Sequence, residues 1–366
     1  MPRTMRGVKS SRASAARAPG RSHANPGRGP ISLGYKLASE EHSPRDLVRW
    51  ARMAEDAGFA FALISDHYHP WTSRQGQSPF VWSVLGSLAL ATDRLMLGTA
   101  VTCPSGRIHP AIIAQAAATT AALMPGRFFL GVGTGENLNE HILGQGWPET
   151  EIRQARLEEA IEVIRQLWQG GNQSHHGRFF SMENARLYSL PEAPPPLLVA
   201  AAGPHGAEIA GRHGDGLIAT EPDAGLVATF DEAGGRGKPR YAEVTVCWDE
   251  DEKSARRTAL EQWPTSAMES SLSWELPLPE HFEAVAKLVT EDQVAESITC
   301  GPDPAAHLEA IGKYADAGYD HICVHQVGAD QKGFFDFYAR EILPKIGSIQ
   351  PRRSKAAGRE SAVPPR

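Results

Sequence analysis

The chain has 366 residues, 41% hydrophobic and 22% charged, a globular composition that excludes a collagen-like, coiled-coil or wholly disordered polymer. Its formal charge of −6 conceals a split: residues 1–30 carry seven Lys/Arg and no acid, residues 351–366 carry five against one Glu, and residues 31–350 keep about −17, which argues against a nucleic-acid partner for the folded part. The longest mainly apolar stretch, residues 85–91, is far short of the roughly 18 residues of a membrane span, and no signal-peptide centre stands near the start, so a soluble cytoplasmic protein is expected.

In chain order, residues 1–30 are rich in Arg, Ser, Ala, Gly and Pro without an apolar period. They cannot offset their ordering entropy by burial and are expected to be disordered, as is the basic tail 349–366. The first strand candidate is 31–37. Ser43-Pro44 then caps a helix whose apolar positions Leu47, Ala51 and Ala54 recur at helical spacing until Gly58. A second strand, 59–64, leads into Ser65-Asp66-His67-Tyr68-His69-Pro70-Trp71, where an imidazole able to exchange protons near neutral pH stands beside a carboxylate and an aromatic face. A loop with surface histidines is the plainer reading. His67 and His69 also have the spacing of a metal pair in barrel hydrolases, but the Thr220-Glu221 strand end offers no further histidine, so no metal is expected.

A third strand, 95–101, is followed by Cys103-Pro104, Arg107 and His109-Pro110 at a helix start. After the fourth, 128–132, the run Gly131-Val132-Gly133-Thr134-Gly135-Glu136 lacks the spacing of a dinucleotide fingerprint; its glycines permit close backbone approach and place Glu136 where a carboxyl could face a ligand and have its pKa raised by burial, a turn with a solvated Glu being the plainer reading. The stripe Leu157, Ala160, Ile161, Ile164, Leu167 and Trp168 marks a core helix ended by Gly170-Gly171. Residues 172–190 look like a small β excursion. Strand 197–201 runs into Ala202-Gly203-Pro204, small residues at a helix start. Strands 216–219, 242–248 and 321–325 complete the count, with a long insertion at 263–302. Eight β-α units predict one (β/α)8 barrel over 31–348 rather than an open sheet of about six strands, with its site at the carboxyl ends of the strands. The cysteines Cys103, Cys247, Cys300 and Cys323 form no CxxC pair and are expected as free thiols.

Five segments at these strand ends, SDHYHPW at 65–71, GTAVTCP at 98–104, HPAIIAQAAATTA at 109–121, FLGVGTGENLNEHILG at 129–144 and AGRHGDGLIAT at 210–220, together resemble the luciferase-like flavin/deazaflavin oxidoreductase superfamily, in the branch of coenzyme F420-dependent glucose-6-phosphate dehydrogenases. The likeness runs from about residue 31 to 346. It implies a TIM-type barrel with F420 at its mouth, or FMN as the alternative cofactor for a monooxygenase or reductase, and a non-proline cis peptide or bulge at Ala100-Val101. By resemblance, Asp66 and His67 lie nearest the reacting carbon, Trp71 flanks the hydride path, Glu136 faces the acidic ring nitrogen, and Ala100, Val101, Cys103, Asn139, Ala202 and Gly203 contact the cofactor. His67 would take a substrate hydroxyl proton and Glu136 would donate one. Where that branch has basic phosphate contacts this chain has Asp223, Ala284 and Ser297, so glucose 6-phosphate is disfavoured unless Arg74 or Arg107 compensates, and an unphosphorylated alcohol, sugar or carbonyl compound is expected. The expected partners are thus a small-molecule substrate and a second copy of the chain in a homodimer. A metal-dependent barrel hydrolase and a noncatalytic barrel scaffold are the readings from other classes.

Overall fold

A computed structural model describes residues 31–348; the two basic tails, 1–30 and 349–366, lie outside the described residues. The strands are β1 (Ser32–Leu37), β2 (Phe61–Ile64), β3 (Met96–Thr99), β4 (Phe128–Val132), β5 (Gln173–His176), β6 (Ser181–Ala185), β7 (Leu197–Ala200), β8 (Gly216–Ala219), β9 (Arg240–Cys247), β10 (Thr299–Cys300) and β11 (His321–Gln326). Eight of them pair in parallel in the order β1-β2-β3-β4-β7-β8-β9-β11, and the β11–β1 pairing closes the ring, giving the expected (β/α)8 barrel. The eight sequence candidates fall on these eight strands, with ends displaced by at most two residues, where the ladder stops rather than where apolar character stops.

Local signals set the helices. In Pro44–Ala57 the Ser43 hydroxyl accepts from the Asp46 N–H at 3.3 Å, proline occupies the first turn, and Gly58 ends the run at φ 101°, a left-handed conformation that disfavours residues with a Cβ. Leu47, Ala51 and Ala54 are its buried face, as their spacing predicts.

The barrel interior is filled by Phe61, Leu63, Phe129, Leu198, Ile218, Tyr241 and Cys323. Gly34 and Gly98 lie where the rings of Phe61 and Phe129 press against the strand backbone, so a Cβ at either would collide with a ring. Because side chains alternate along a strand, the residues two positions beyond this layer point inward at the carboxyl end: Lys36 beyond Gly34, Glu243 beyond Tyr241 and His325 beyond Cys323. The polar end of the barrel thus follows from strand periodicity.

Two excursions leave the repeat. Strands β5 and β6 form an antiparallel hairpin. Residues 264–297 fold as short helices, Pro264–Ala267, Ser270–Glu275, Pro279–Ala286 and Glu291–Ser297, before β10 pairs with β9. No helix among the described residues is long and apolar enough to cross a membrane.

Candidate active site

The loop after β2 is tied to its neighbours by buried polar contacts. Ser65 Oγ donates to Glu40 Oε2 at 2.5 Å, and Thr102 Oγ1 donates to Asp66 Oδ2 at 2.7 Å. Asn139 Oδ1 accepts from the backbone N–H groups of Tyr68 and His69 at 2.8 and 3.2 Å, while its amide donates to Glu136 Oε2 at 2.9 Å. One amide therefore fixes the loop after β2 and the carboxyl after β4 together.

His67 stands at the centre. Its Nδ1 faces the carbonyl oxygen of His69 at 3.1 Å, and since a carbonyl only accepts, that nitrogen carries the ring proton. Its Nε2 lies 3.3 Å from Glu40 Oε1 and 3.5 Å from Glu136 Oε2, so this nitrogen is flanked by two carboxyls. The carboxyls differ. Burial would raise Glu40, but His67, Lys36 and the Ser65 hydroxyl hold it below the ordinary value. Burial pushes Glu136 above the ordinary value, and the charge of Glu40 adds to this. Of the two carboxyls beside His67, Glu40 is therefore the one whose charged form is favoured and Glu136 the one that holds a proton more readily.

The inward layer of the strands supplies a second network. Lys36 Nζ donates to Glu243 Oε2 at 2.7 Å, and His325 Nε2 lies 3.0 Å from Glu41 Oε1. Burial opposes the Lys36 charge, yet Glu243 and Glu40 more than compensate and hold its pKa above the usual lysine value. Arg107 forms the third network: its Nη2 donates to Asp66 Oδ1 and its Nη1 to Glu140 Oε1, both at 2.5 Å.

Trp71 lies against His67 with ring centroids 5.1 Å apart and the rings tilted, and it meets Phe282 edge-on at 5.2 Å. Phe282 belongs to the helical excursion, which also reaches the mouth through Glu283, accepting from the Ser73 N–H at 2.8 Å, and through the Glu275 carbonyl, accepting from Asn137 at 2.8 Å. The excursion therefore roofs one side of the barrel mouth.

A model of the luciferase-like monooxygenase family matches residues 18–321. The chain belongs to the luciferase-like monooxygenase family. Among its relatives, the F420-dependent glucose-6-phosphate dehydrogenase of Beutenbergia cavernae is 37% identical over 86% of this chain and 97% of its own, and that of Nocardia farcinica 36% over 88% and 99%. A solved F420-dependent secondary alcohol dehydrogenase, in complex with an F420-acetone adduct, superposes with a TM-score of 0.81 at 28% identity, covering 87% of this chain and 99% of its own. The F420-dependent tetrahydromethanopterin reductase of Methanopyrus kandleri, at 21% identity and a TM-score of 0.69, shares the fold.

In this luciferase-like chain His67, Trp71, Glu136, Asp66 and Asn139 converge on one end of the barrel. The Ala100-Val101 peptide is cis, and both residues, with Ala200, lie on the interior cluster as a partly buried floor. Cys103 is buried behind them; burial pushes its thiol up to about 12, and its sulfur lies 3.5 Å from Ser105 Oγ. Gly203 precedes the helix Pro204–His213, with open space where a Cβ would stand and Ala202 exposed beside it. His69 turns away from His67, its Nδ1 meeting the Leu138 carbonyl at 2.8 Å and its ring stacking on His141. Among the described residues no group of three His, Cys, Asp or Glu side chains is arranged to hold a metal ion.

The two arginines considered as compensating charge are engaged elsewhere: Arg107 is held by Asp66 and Glu140, and Arg74 pairs with Glu261 at an exposed site. Asp223 caps the helix Ala224–Phe230, accepting from Gly225 and Leu226. Sequence reasoning missed Glu40, Lys36, Glu243 and His325. The signal for the last three was a polar residue at the inward period near each strand's carboxyl end; Glu40, in a loop, carried none.

Proposed function

We propose that the protein is a coenzyme F420-dependent oxidoreductase that transfers hydride between the deazaflavin and an uncharged alcohol or carbonyl compound, with glucose 6-phosphate disfavoured. The observation that carries the reading is His67 Nε2 between the carboxyls of Glu40 and Glu136 beneath Trp71, at the open end of a barrel whose relatives are F420-dependent dehydrogenases. The mouth fits such a group: Ala100, Val101 and Ala200 offer a small apolar floor for a flat ring, Gly203 leaves room beside it, and Asn139 and Glu136 supply polar groups at its edge. When bound, F420 supplies a ring carbon that accepts or gives a hydride.

The chain's own groups handle protons. His67 Nε2 takes the substrate hydroxyl proton, and the imidazolium so formed is stabilised by the Glu40 carboxylate. Glu136, whose hold on a proton burial strengthens, gives up a proton toward the mouth. Trp71 and Phe282 exclude water from one side. The Lys36, Arg107 and Arg74 charges are all paired, and Asp223 adds a negative one, which disfavours a phosphate dianion in the substrate.

Titration of the purified protein with F420 and with FMN, followed by fluorescence quenching, tests the cofactor. Saturable binding of F420 alone is the expected result, and binding of FMN alone overturns the reading in favour of a flavin-dependent reductase or monooxygenase. Turnover of F420 with secondary alcohols and sugars, compared with glucose 6-phosphate, tests the substrate class; efficient use of the phosphate ester overturns that part.

A further inference from the structure

A second polar pocket lies behind the loops that follow β3 and β4. It is narrow and partly open to solvent, with an enclosed space of only about 20 Å³ that suits a single small polar group, and it is lined by Ser105, Thr134 and Glu140 together with a second wall of Trp147, Arg153 and Arg156. Three N–H donors of this second wall, Trp147 Nε1, Arg153 Nε and Arg156 Nε, are buried without an acceptor. A buried unpaired donor costs roughly 1–3 kcal/mol, so three around one pocket point to a missing acceptor group.

The charges point the same way. Arg153 is only 4% exposed; its terminal nitrogens donate to the Pro148 carbonyl, Glu275 and Thr150, and its guanidinium lies 4.2 Å from the Trp147 ring centroid. Among the described residues Arg156 has no recorded ion pair or hydrogen bond; its guanidinium lies 5.6 Å from the Phe179 ring centroid. Both arginines sit in the first two turns of the helix Thr150–Trp168, whose N-cap Glu149 makes no capping bond. Cations there oppose the helix dipole, which favours negative charge at that end. The one carboxylate in the pocket wall, Glu140, is already matched by Arg107.

We propose that the pocket between Trp147, Arg153 and Arg156 is a binding site for an oxyanion group, a phosphate or a carboxylate, apart from the proton-handling groups His67 and Glu136. Arg156 supplies the uncompensated charge, and Trp147 and Arg153 supply directional donors. The anion is either free in solution or the acidic group of a longer ligand that extends from the mouth.

The test is a titration of the full-length protein with inorganic phosphate at low and moderate salt, read by intrinsic tryptophan fluorescence and calorimetry, and it requires no F420. Saturable, salt-sensitive binding that weakens about tenfold or more in Arg156→Ala and is retained in Arg156→Lys is expected. Trp147→Phe, which keeps the packing and removes the donor, weakens binding in the calorimetric arm. No saturable binding by the wild type, or undiminished binding by Arg156→Ala, overturns the proposal. Competition separates the two sources: phosphate that raises the apparent Kd for F420 in the wild type, but not in Arg156→Ala, assigns the site to an acidic group of that ligand, and independent binding assigns it to a free anion. Failure of F420 to bind would overturn the proposed function while leaving the phosphate result standing.

Discussion

Replacing Arg107 by methionine isolates the contribution of an internal ion. The guanidinium touches Asp66 and Glu140, whose side chains are 1% and 4% exposed, and it also donates to the Asp66 carbonyl at 3.0 Å. Methionine keeps most of the packing volume but leaves two buried carboxylates facing each other. Removing one partner of a buried pair costs about 3–5 kcal/mol, so a loss of about 4 kcal/mol is expected, equivalent to a fall in Tm on the order of 10 °C. The deficit should depend on pH. Burial already pushes Glu140 above the ordinary carboxylate value even against Arg107. Without the guanidinium the folded state binds protons more readily than the unfolded chain, so acidification favours it and the gap from the wild type narrows between about pH 7 and pH 5. Urea unfolding of both proteins across that range measures it. A loss below about 1 kcal/mol, or a gap that does not change with pH, would refute the assignment of Arg107 as the counter-ion of both carboxylates.

Glu136→Gln removes the ionisable carboxyl while keeping the acceptor for Asn139, so turnover should fall about 100-fold or more with little change in F420 affinity; unchanged turnover in a steady-state assay excludes a proton role. Asp223→Lys should improve use of phosphate esters relative to their alcohols. Because Asp223 caps Ala224–Phe230, it should also cost about 1 kcal/mol in thermal unfolding; a variant with unaltered preference and stability contradicts both assignments. His307 bridges the Tyr338 hydroxyl and the Gly301 carbonyl, both at 2.9 Å, and burial holds its imidazole below the ordinary value. Below about pH 6.5 the unfolded chain takes up a proton that the folded state refuses, so stability drops on acidification; His307→Gln should flatten that part of the curve.

Much of this molecule was legible in its sequence because the signals are local. Ser43-Pro44 and Gly58 bracket a helix within one segment, and apolar runs such as residues 197–200 mark strands buried on both faces. The loops after β2 and β4 announced themselves by dense titratable groups or repeated glycines, and His67, Trp71 and Glu136 do meet. What escaped was pairing across the barrel. Lys36 and Glu243 are 207 positions apart and meet only once the sheet closes. Glu40 reaches His67 because β1 and β2 are neighbours, a fact no spacing within SEEH encodes. Arg107 looked available for a ligand because its two partners, 41 and 33 positions away, come from separate loops.

The division of labour around Trp71 has a practical consequence. The groups proposed to handle protons stand close to the ends of barrel strands, whereas Phe282, which meets that indole edge-on, arrives from the helical excursion. Transplanting residues 264–297 from another member of the fold would therefore recast which molecules gain entry while sparing the groups proposed to react with them. Chimeras of this kind offer an engineer a route to new selectivity without rebuilding the scaffold beneath.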